Sequence, residues 1–339
     1  MSVLANASHV RGTPPTTMRR RILSITAIML AIIGASLVVG ILAMASTVPD
    51  LSQLESHTPE RTNYMRLLAA EQGLSEETYR VEPMEVLTSA PLLACAVVKS
   101  EDVSFFRHGG VDWGQIALIL FDRSGKAMGG STITQQLARN LYLTPERSLE
   151  RKLREAFVAR ALEQRLSKRR ILDLYLNVIE WGDGTWGVGP AAQRYFHKAP
   201  AALDTFEASF LSALIPAPRR PLQGANLARA ERLQQRVLYQ LYASGIIEEE
   251  DWRQAIVRSK ATFACLRLSK PLDEALTCTQ PPREADAGAT PPFLTRLDES
   301  PLPRVSLLET GCGVERDLFE ARRLEATRRV RRDLPTASP

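Results

Sequence analysis

One stretch constrains this chain more than any other: from Ile22 to Ala45 it carries no charged residue. At about 1.5 Å per residue, a helix of that length crosses the roughly 30 Å hydrocarbon layer of a bilayer. The sequence therefore predicts a single transmembrane helix over residues 22–45. Arg19, Arg20 and Arg21 stand directly before it, so the positive-inside bias makes residues 1–21 a cytoplasmic tail and puts everything after Ala45 on the outer side. A competing reading is a cleaved signal peptide, because Ala43-Met44-Ala45 has the small residues of a cleavage site. Signal-peptide cores run to only about 7–15 apolar residues, which favours a retained anchor.

With 45% hydrophobic and 24% charged residues, most of the chain has the composition of a folded protein and not of a disordered one. A net charge of +5 leans towards anionic partners but is too small to choose among phosphates, a membrane surface and nucleic acid. Residues 46–84 mix polar with scattered apolar positions and read as a linker with one or two short helices. Beyond them apolar residues recur at three- and four-residue spacing, so residues 85–260 are expected to form one mainly α domain. Its clearest helix spans Leu149 to Leu166, where Leu149, Leu153, Ala156, Phe157, Leu162 and Leu166 can share a buried face. Another is expected from Lys168 to Val178, with Ser167 as its N-cap. Residues 261–339 form a Pro-rich and then Arg-rich extension with no nameable fold. Cys95 sits in the apolar run LLACAVV as a core residue. Cys265 and Cys278 are either free thiols or the ends of a small loop closed outside the cytoplasm. The cysteines have neither the paired spacing of a zinc site nor the density of a disulfide scaffold.

Three clusters carry polar residues that an ordinary core would not need. In residues 100–113, SEDVSFFRHGGVDW, Glu101 follows directly on the apolar run Leu92 to Val98, so its carboxylate should lie at the end of a buried helix. Partial burial would raise its pKa towards the range of a general base. Taken alone, Glu101 and Asp102 are a pair of surface carboxylates at an element boundary, and His108 is a structural histidine. In residues 129–143, GGSTITQQLARNLYL, Ser131, Thr132, Thr134, Gln135 and Gln136 offer neutral groups suited to sugar hydroxyls or phosphate oxygens. The same run can be simply a helix N-terminus with a Ser or Thr cap. It lacks the lysine and the spacing of a phosphate-binding P-loop. In residues 151–163, RKLREAFVARALE, Arg151 and Lys152 precede Glu155 by one helical turn and can share a surface with it. That is either intrahelical ion pairing or a place where two cations hold an anionic leaving group while a carboxylate orients them.

In this order the clusters resemble the glycosyltransferase family 51 domain of monofunctional peptidoglycan transglycosylases and class A penicillin-binding proteins. Glu101, Asp102, Phe105, His108, Gly110 and Asp112 match the family's Glu-Asp, Phe, His, Gly, Asp pattern. The GGSTITQQ signature stands intact at Gly129 to Gln136, and Arg151, Lys152 and Glu155 match Arg-Lys-x-x-Glu. The likeness continues through residues 167–198 to Glu207 and the Ala217-Pro218 step, ending near Leu222. Too few residues follow for a transpeptidase domain, and they lack its Ser-x-x-Lys motif, so the monofunctional type is the nearer match.

The resemblance implies a mainly α, lysozyme-like, two-lobed glycosyltransferase domain behind the single N-terminal transmembrane helix. It implies an enzyme of the bacterial cytoplasmic (inner) membrane, single-pass, with its catalytic domain on the periplasmic or extracytoplasmic side. The implied reaction polymerises lipid II into glycan strands, with inversion at the anomeric carbon and release of undecaprenyl diphosphate. Glu101 and Glu155 carry over as catalytic residues, Glu101 as the general base on the acceptor 4-hydroxyl and Glu155 with Arg151 and Lys152 at the departing diphosphate. Asp102, His108, Ser131, Thr132, Gln135, Gln136 and Arg139 complete the expected substrate contacts. The apolar stretch of Trp113, Ile116, Leu118, Ile119, Leu120 and Phe121, with the loop DRSGKAM after it, is either the part of the smaller lobe that dips into lipid or a plain core helix. No cofactor is expected; a divalent cation could help neutralise the diphosphate, though the sequence holds no metal cage. Expected partners are lipid II, the nascent glycan strand, the cytoplasmic membrane and other cell-wall synthesis proteins, and not nucleic acid. A glycan-cleaving muramidase or lytic transglycosylase would share the general fold and a catalytic glutamate, but the intact second and third clusters argue against it. Retention of both Glu101 and Glu155 argues against an inactive scaffold.

Overall fold

The computed structural model describes residues 16–46, 48–121, 130–144, 146, 148–182, 184–278 and 312. The DRSGKAM loop, Gly129 and, of the expected extension, residues 279–311 and 313–339 lie outside the described residues. The chain divides into two units, residues 1–48 and the remainder. In the first, α1 (Thr16–Ala45) is one continuous helix, so the last residues of the expected tail are already helical. From Arg20 to Met44 it is long and apolar enough to cross a membrane, and none of that span is buried. Leaving side chains such as Leu23, Leu30 and Leu37 in water forgoes about 1.5–3 kcal/mol each, which a lipid surrounding would return.

The second unit runs in order through α2 (Asn63–Glu71), α3 (Val86–Ser89), α4 (Pro91–Glu101), α5 (Trp113–Phe121), α6 (Ile133–Tyr142), α7 (Leu149–Arg165) and α8 (Lys168–Val178). A short antiparallel hairpin of β1 (Glu180–Gly182) and β2 (Thr185–Trp186) follows. The chain then forms α9 (Val188–Phe196), α10 (Thr205–Leu214), α11 (Gly224–Ala243), α12 (Glu249–Arg267) and α13 (Leu272–Leu276). This is the mainly α fold that the apolar spacing predicts.

Its centre is α4. Pro91 opens that helix at a position where a missing N–H costs nothing, and every residue from Leu93 to Ser100 is buried. A helix apolar on all sides has to be surrounded, and α10 and α11 both pack on it. Side chains of α8 fix where α3, the short helix leading into α4, begins. Asn177 donates to Met84 O and accepts from Met84 N–H, at 2.9 and 3.0 Å, and Asp173 accepts from Val86 N–H at 2.9 Å. On the other flank α6 packs against α7 and α8. Glu163 accepts from Thr134 at 2.5 Å and from Lys168 at 2.6 Å, and the same ammonium lies 4.4 Å over the Phe105 ring. One carboxylate thereby ties α6, α7 and α8 together, next to the turn that leaves α4.

Several boundaries differ from expectation. Residues 46–84, read as linker, bury Leu51, Leu54, Met65, Leu68 and Val81, and α2 packs on α6. Helical structure also continues past residue 260, with Phe263, Leu266, Ala275 and Leu276 buried. In α7 the buried stripe is Glu155, Val158, Ala159 and Leu162, whereas Leu149 and Leu153, expected on that stripe, are 79% and 46% exposed. The buried stripe of the helix begins only at Glu155, so these two leucines stand ahead of it. Ser167 caps α8 as read, accepting from Arg170 N–H at 3.2 Å. Cys265 and Cys278 do close their loop as a disulfide. Cys95 is buried as expected but is bonded to Cys312, 217 residues along the chain.

Candidate active site

Glu101 ends α4, so the buried helix behind it sets its position. Gln136 Nε2 donates to its Oε2 at 2.9 Å, and Ser100 Oγ donates to its Oε1 at 3.2 Å. Burial pushes this carboxyl above the ordinary glutamate range. The two hydrogen bonds and the positive charges of Arg236 and Arg139 pull the other way without cancelling it. Behind Gln136 stands Tyr175, whose hydroxyl donates to Gln136 Oε1 at 2.9 Å. Sequence reasoning missed Ser100 and Tyr175. Tyr175 sits 39 residues from Gln136, among the apolar residues of α8, and no local pattern separates it from the core.

The next residue, Asp102, turns inward, with a side chain only 3% exposed. It accepts from Ile133 N–H at 2.9 Å and from His108 Nε2 at 3.0 Å. Gly110 N–H donates to His108 Nδ1 at 3.2 Å; with that nitrogen accepting, the imidazole proton sits on Nε2, facing Asp102. Gly110 has φ +96°, and a Cβ there would lie 2.9 Å from the Ala159 backbone, so only glycine lets this turn approach α7. Thr132 Oγ1 donates to Gly110 O at 2.6 Å and accepts from Gln135 N–H at 3.1 Å, while Gln135 Oε1 accepts from Thr132 N–H at 3.1 Å. This reciprocal capping box starts α6.

Asp102, His108, Thr132 and Gln135, expected as substrate contacts, all make hydrogen bonds inside the fold, joining α4, the 105–110 turn and α6. The Thr-x-x-Gln spacing ahead of an apolar helix is the signal that assigns Thr132 and Gln135 to a cap. Asp112 accepts from Ser104 and, at 2.8 Å, from Gln115 N–H in the manner of a helix cap. Burial pushes its carboxyl up, but these bonds hold it below the ordinary aspartate range. The α5 helix that follows opens with Trp113, 72% exposed; the side chains of Leu118, Ile119, Leu120 and Phe121 lie outside the described residues.

The third cluster is assembled around a fully buried Glu155. Arg151 Nη1 donates to its Oε2 at 2.6 Å, and Lys152 Nζ donates to its Oε1 and, at 2.8 Å, to Ser131 Oγ. Intrahelical ion pairing and a cationic site are therefore one structure: two cations share one carboxylate, leaving net positive charge where Lys152 and Ser131 meet solvent. Arg139, half-buried on α6, is near enough to Glu101 and Tyr175 to bias their charge. Among the described residues no group of three or more His, Cys, Asp or Glu gathers as for a metal ion. The arrangement offers a desolvated carboxyl able to take a proton and a cationic ledge able to hold an anion.

Residues 69–242 match the family model described as Transglycosylase, and that span contains all three clusters. The chain is 42% identical over 205 residues to the biosynthetic peptidoglycan transglycosylase of Alcanivorax borkumensis, which covers 60% of this chain and 79% of that protein. It is 47% identical over 150 residues to the protein so named in Aromatoleum aromaticum, covering 42% of this chain and 65% of the relative. Penicillin-binding protein 1A of Aquifex aeolicus is 35% identical over 246 residues, 70% of this chain but only 33% of that longer protein. With the family's signature clusters built into one fold, the chain belongs to the transglycosylase family as a peptidoglycan glycosyltransferase of cell-wall synthesis.

Proposed function

We propose that this enzyme joins units of lipid II into glycan strands. Glu101 takes the proton from the 4-hydroxyl of the acceptor sugar, and that oxygen bonds to the anomeric carbon of the donor from the face opposite the leaving group. The bond from that carbon to the diphosphate breaks, its electron pair departs on undecaprenyl diphosphate, and configuration inverts. Arg151 and Lys152 receive the charge that develops on the phosphate oxygens. Glu155 serves the step by holding both cations in place. Ser131, Gln136 and Arg139 remain as contacts for the sugar and phosphate groups, while Asp102, His108, Thr132 and Gln135 support them. The catalytic unit in this reading begins before residue 85, because α2 shares its core, and extends through α13.

The observation that carries the proposal is Glu101 itself: a carboxyl at the end of a buried helix, its pKa raised by burial and its two oxygens held by neutral donors. A location outside the cytoplasm is supported by two disulfides, which persist in oxidising compartments, and by the arginines ahead of α1. A bilayer-bound substrate suits an enzyme anchored by α1 and carrying an exposed Trp113 at the start of an apolar helix. The test is polymerisation of purified lipid-linked disaccharide pentapeptide by the detergent-solubilised full chain, beside Glu101→Gln, with products resolved by length. Polymer from the wild type and none from the variant is the expected result. No polymer from either, across detergents and with or without divalent cations, would overturn the proposal, and fragments released from preformed peptidoglycan would replace it with cleavage.

A further inference from the structure

The side-chain amide of Gln136 stands between two partners and has two unlike ends. Its NH₂ donates to Glu101 Oε2 at 2.9 Å and its carbonyl accepts from Tyr175 at 2.9 Å. Rotated by half a turn, the same amide would set its carbonyl oxygen against the carboxylate, replacing a charge-assisted hydrogen bond with repulsion between two acceptors. Glu101 in its ionised form discriminates against that rotamer, but as a base it must also pass through a protonated form that does not. A second constraint is needed to keep the amide in one orientation through the reaction.

We propose that Tyr175 is a positioning residue for the base: its hydroxyl pins the Gln136 carbonyl and so holds the amide NH₂ against Glu101. Three features support this. The Tyr175 ring is fully buried on α8, so its oxygen has a fixed location. Burial, and after it the nearby Glu101 charge, pushes its pKa well above the ordinary tyrosine value, so the hydroxyl keeps its proton and stays a donor. Gln136 lies on α6, whose start is fixed by the Thr132–Gln135 box and by Asp102, so the backbone that carries the amide has a defined position. Tyr175 has no route to substrate from its buried position and acts through Gln136 alone.

The inference rests on Glu101 being the general base, and its test separates the two ideas. Initial rates of lipid II polymerisation are measured against pH for the wild type, Tyr175→Phe, Gln136→Met, the double variant and Glu101→Gln, with thermal unfolding as a check on folding. Tyr175→Phe is expected to lower kcat about five- to tenfold, the worth of one hydrogen bond, with KM for lipid II within about twofold. Because the Gln136 bond pulls the Glu101 pKa down, the acid limb of the pH profile should move to higher pH in Tyr175→Phe and at least as far in Gln136→Met. The double variant should match Gln136→Met, since Tyr175 has nothing left to position. A folded Tyr175→Phe whose acid limb stays in place, or a double variant in which the losses add, overturns the role. If Tyr175→Phe does not fold, Gln136→Met decides: an unmoved limb there overturns it equally. Activity persisting in Glu101→Gln would defeat the base assignment first.

Discussion

Removing the Glu155 carboxylate tests whether it is a chemical participant or the anchor of two cations. The residue is fully buried, and Arg151, whose side chain is 14% exposed, directs its Nη1 to it at 2.6 Å. Unit charges about 4 Å apart at an effective dielectric of about 20 attract by roughly 4 kcal/mol, and breaking a buried pair from one side typically costs about 3–5 kcal/mol because the other charge is left without a partner. Lys152 adds little to this sum; at 38% exposed it can turn to water. Glu155→Ala should therefore destabilise the domain by about 3 kcal/mol, a fall in Tm of about 6–12 °C. Glu155→Gln, which keeps one acceptor, should cost about half as much. The double variant Arg151→Leu/Glu155→Leu should recover most of the loss, because it leaves no charge unpaired. The assay is urea and thermal unfolding of the solubilised protein alongside polymerisation. A Glu155→Ala protein with wild-type Tm but no activity would refute the anchoring argument and give the carboxylate a direct part in the chemistry.

Two further outcomes follow from the same geometry. The carboxyl of Glu101 has a higher pKa in the fold than the value of about 4.3 for an unfolded chain, so its contribution to stability is fully present below that value and is lost as pH rises through the folded pKa. Glu101→Gln should accordingly be more stable than the wild type near pH 7.5 and lose that advantage near pH 4; the same difference at both, measured by urea unfolding, would contradict the burial argument. Gly110→Ala must place a methyl group 2.9 Å from the Ala159 backbone at φ +96°, and should cost well beyond the roughly 1 kcal/mol of an unfavourable φ alone. A Gly110→Ala protein that melts with the wild type would show that the 105–110 turn can move away from α7.

Features set by local chain chemistry were legible in the sequence. Ser167 before an apolar-periodic run gave the start of α8, and Glu101 at the end of LLACAVVKS gave a carboxyl at the tip of a buried helix. What depended on neighbours distant in sequence was not. Leu149 and Leu153 continue the apolar period of α7, but the core ends before it reaches them, and a carboxylate, Glu155, occupies the buried stripe instead. Among the polar residues near the site, the Thr-x-x-Gln spacing marks Thr132 and Gln135 as a cap, but Asp102 and Gln136 have partners that lie 31 and 39 residues away and no local pattern shows them. Met65, Leu68 and Val81 were too sparse to give a period, yet each reaches a surface made by other helices.

The bond between Cys95 and Cys312 also imposes an order on how the protein is completed. On the outer side of the membrane proposed here, a chain exported from its anchored end presents its thiols one after another: Cys95, Cys265, Cys278, Cys312. Cys95 has to wait through most of the chain for its partner, and Cys265 reaches it first. Closure falls off as about the three-halves power of loop length, so a span of 13 residues closes about seventyfold more readily than one of 217. Cys265 is therefore captured by Cys278 almost as soon as both have emerged, which removes the two thiols that could mispair with Cys95. The link to the active-site helix can then form only when the chain has been delivered as far as Cys312, making it a covalent record that the 217 residues after Cys95 have arrived.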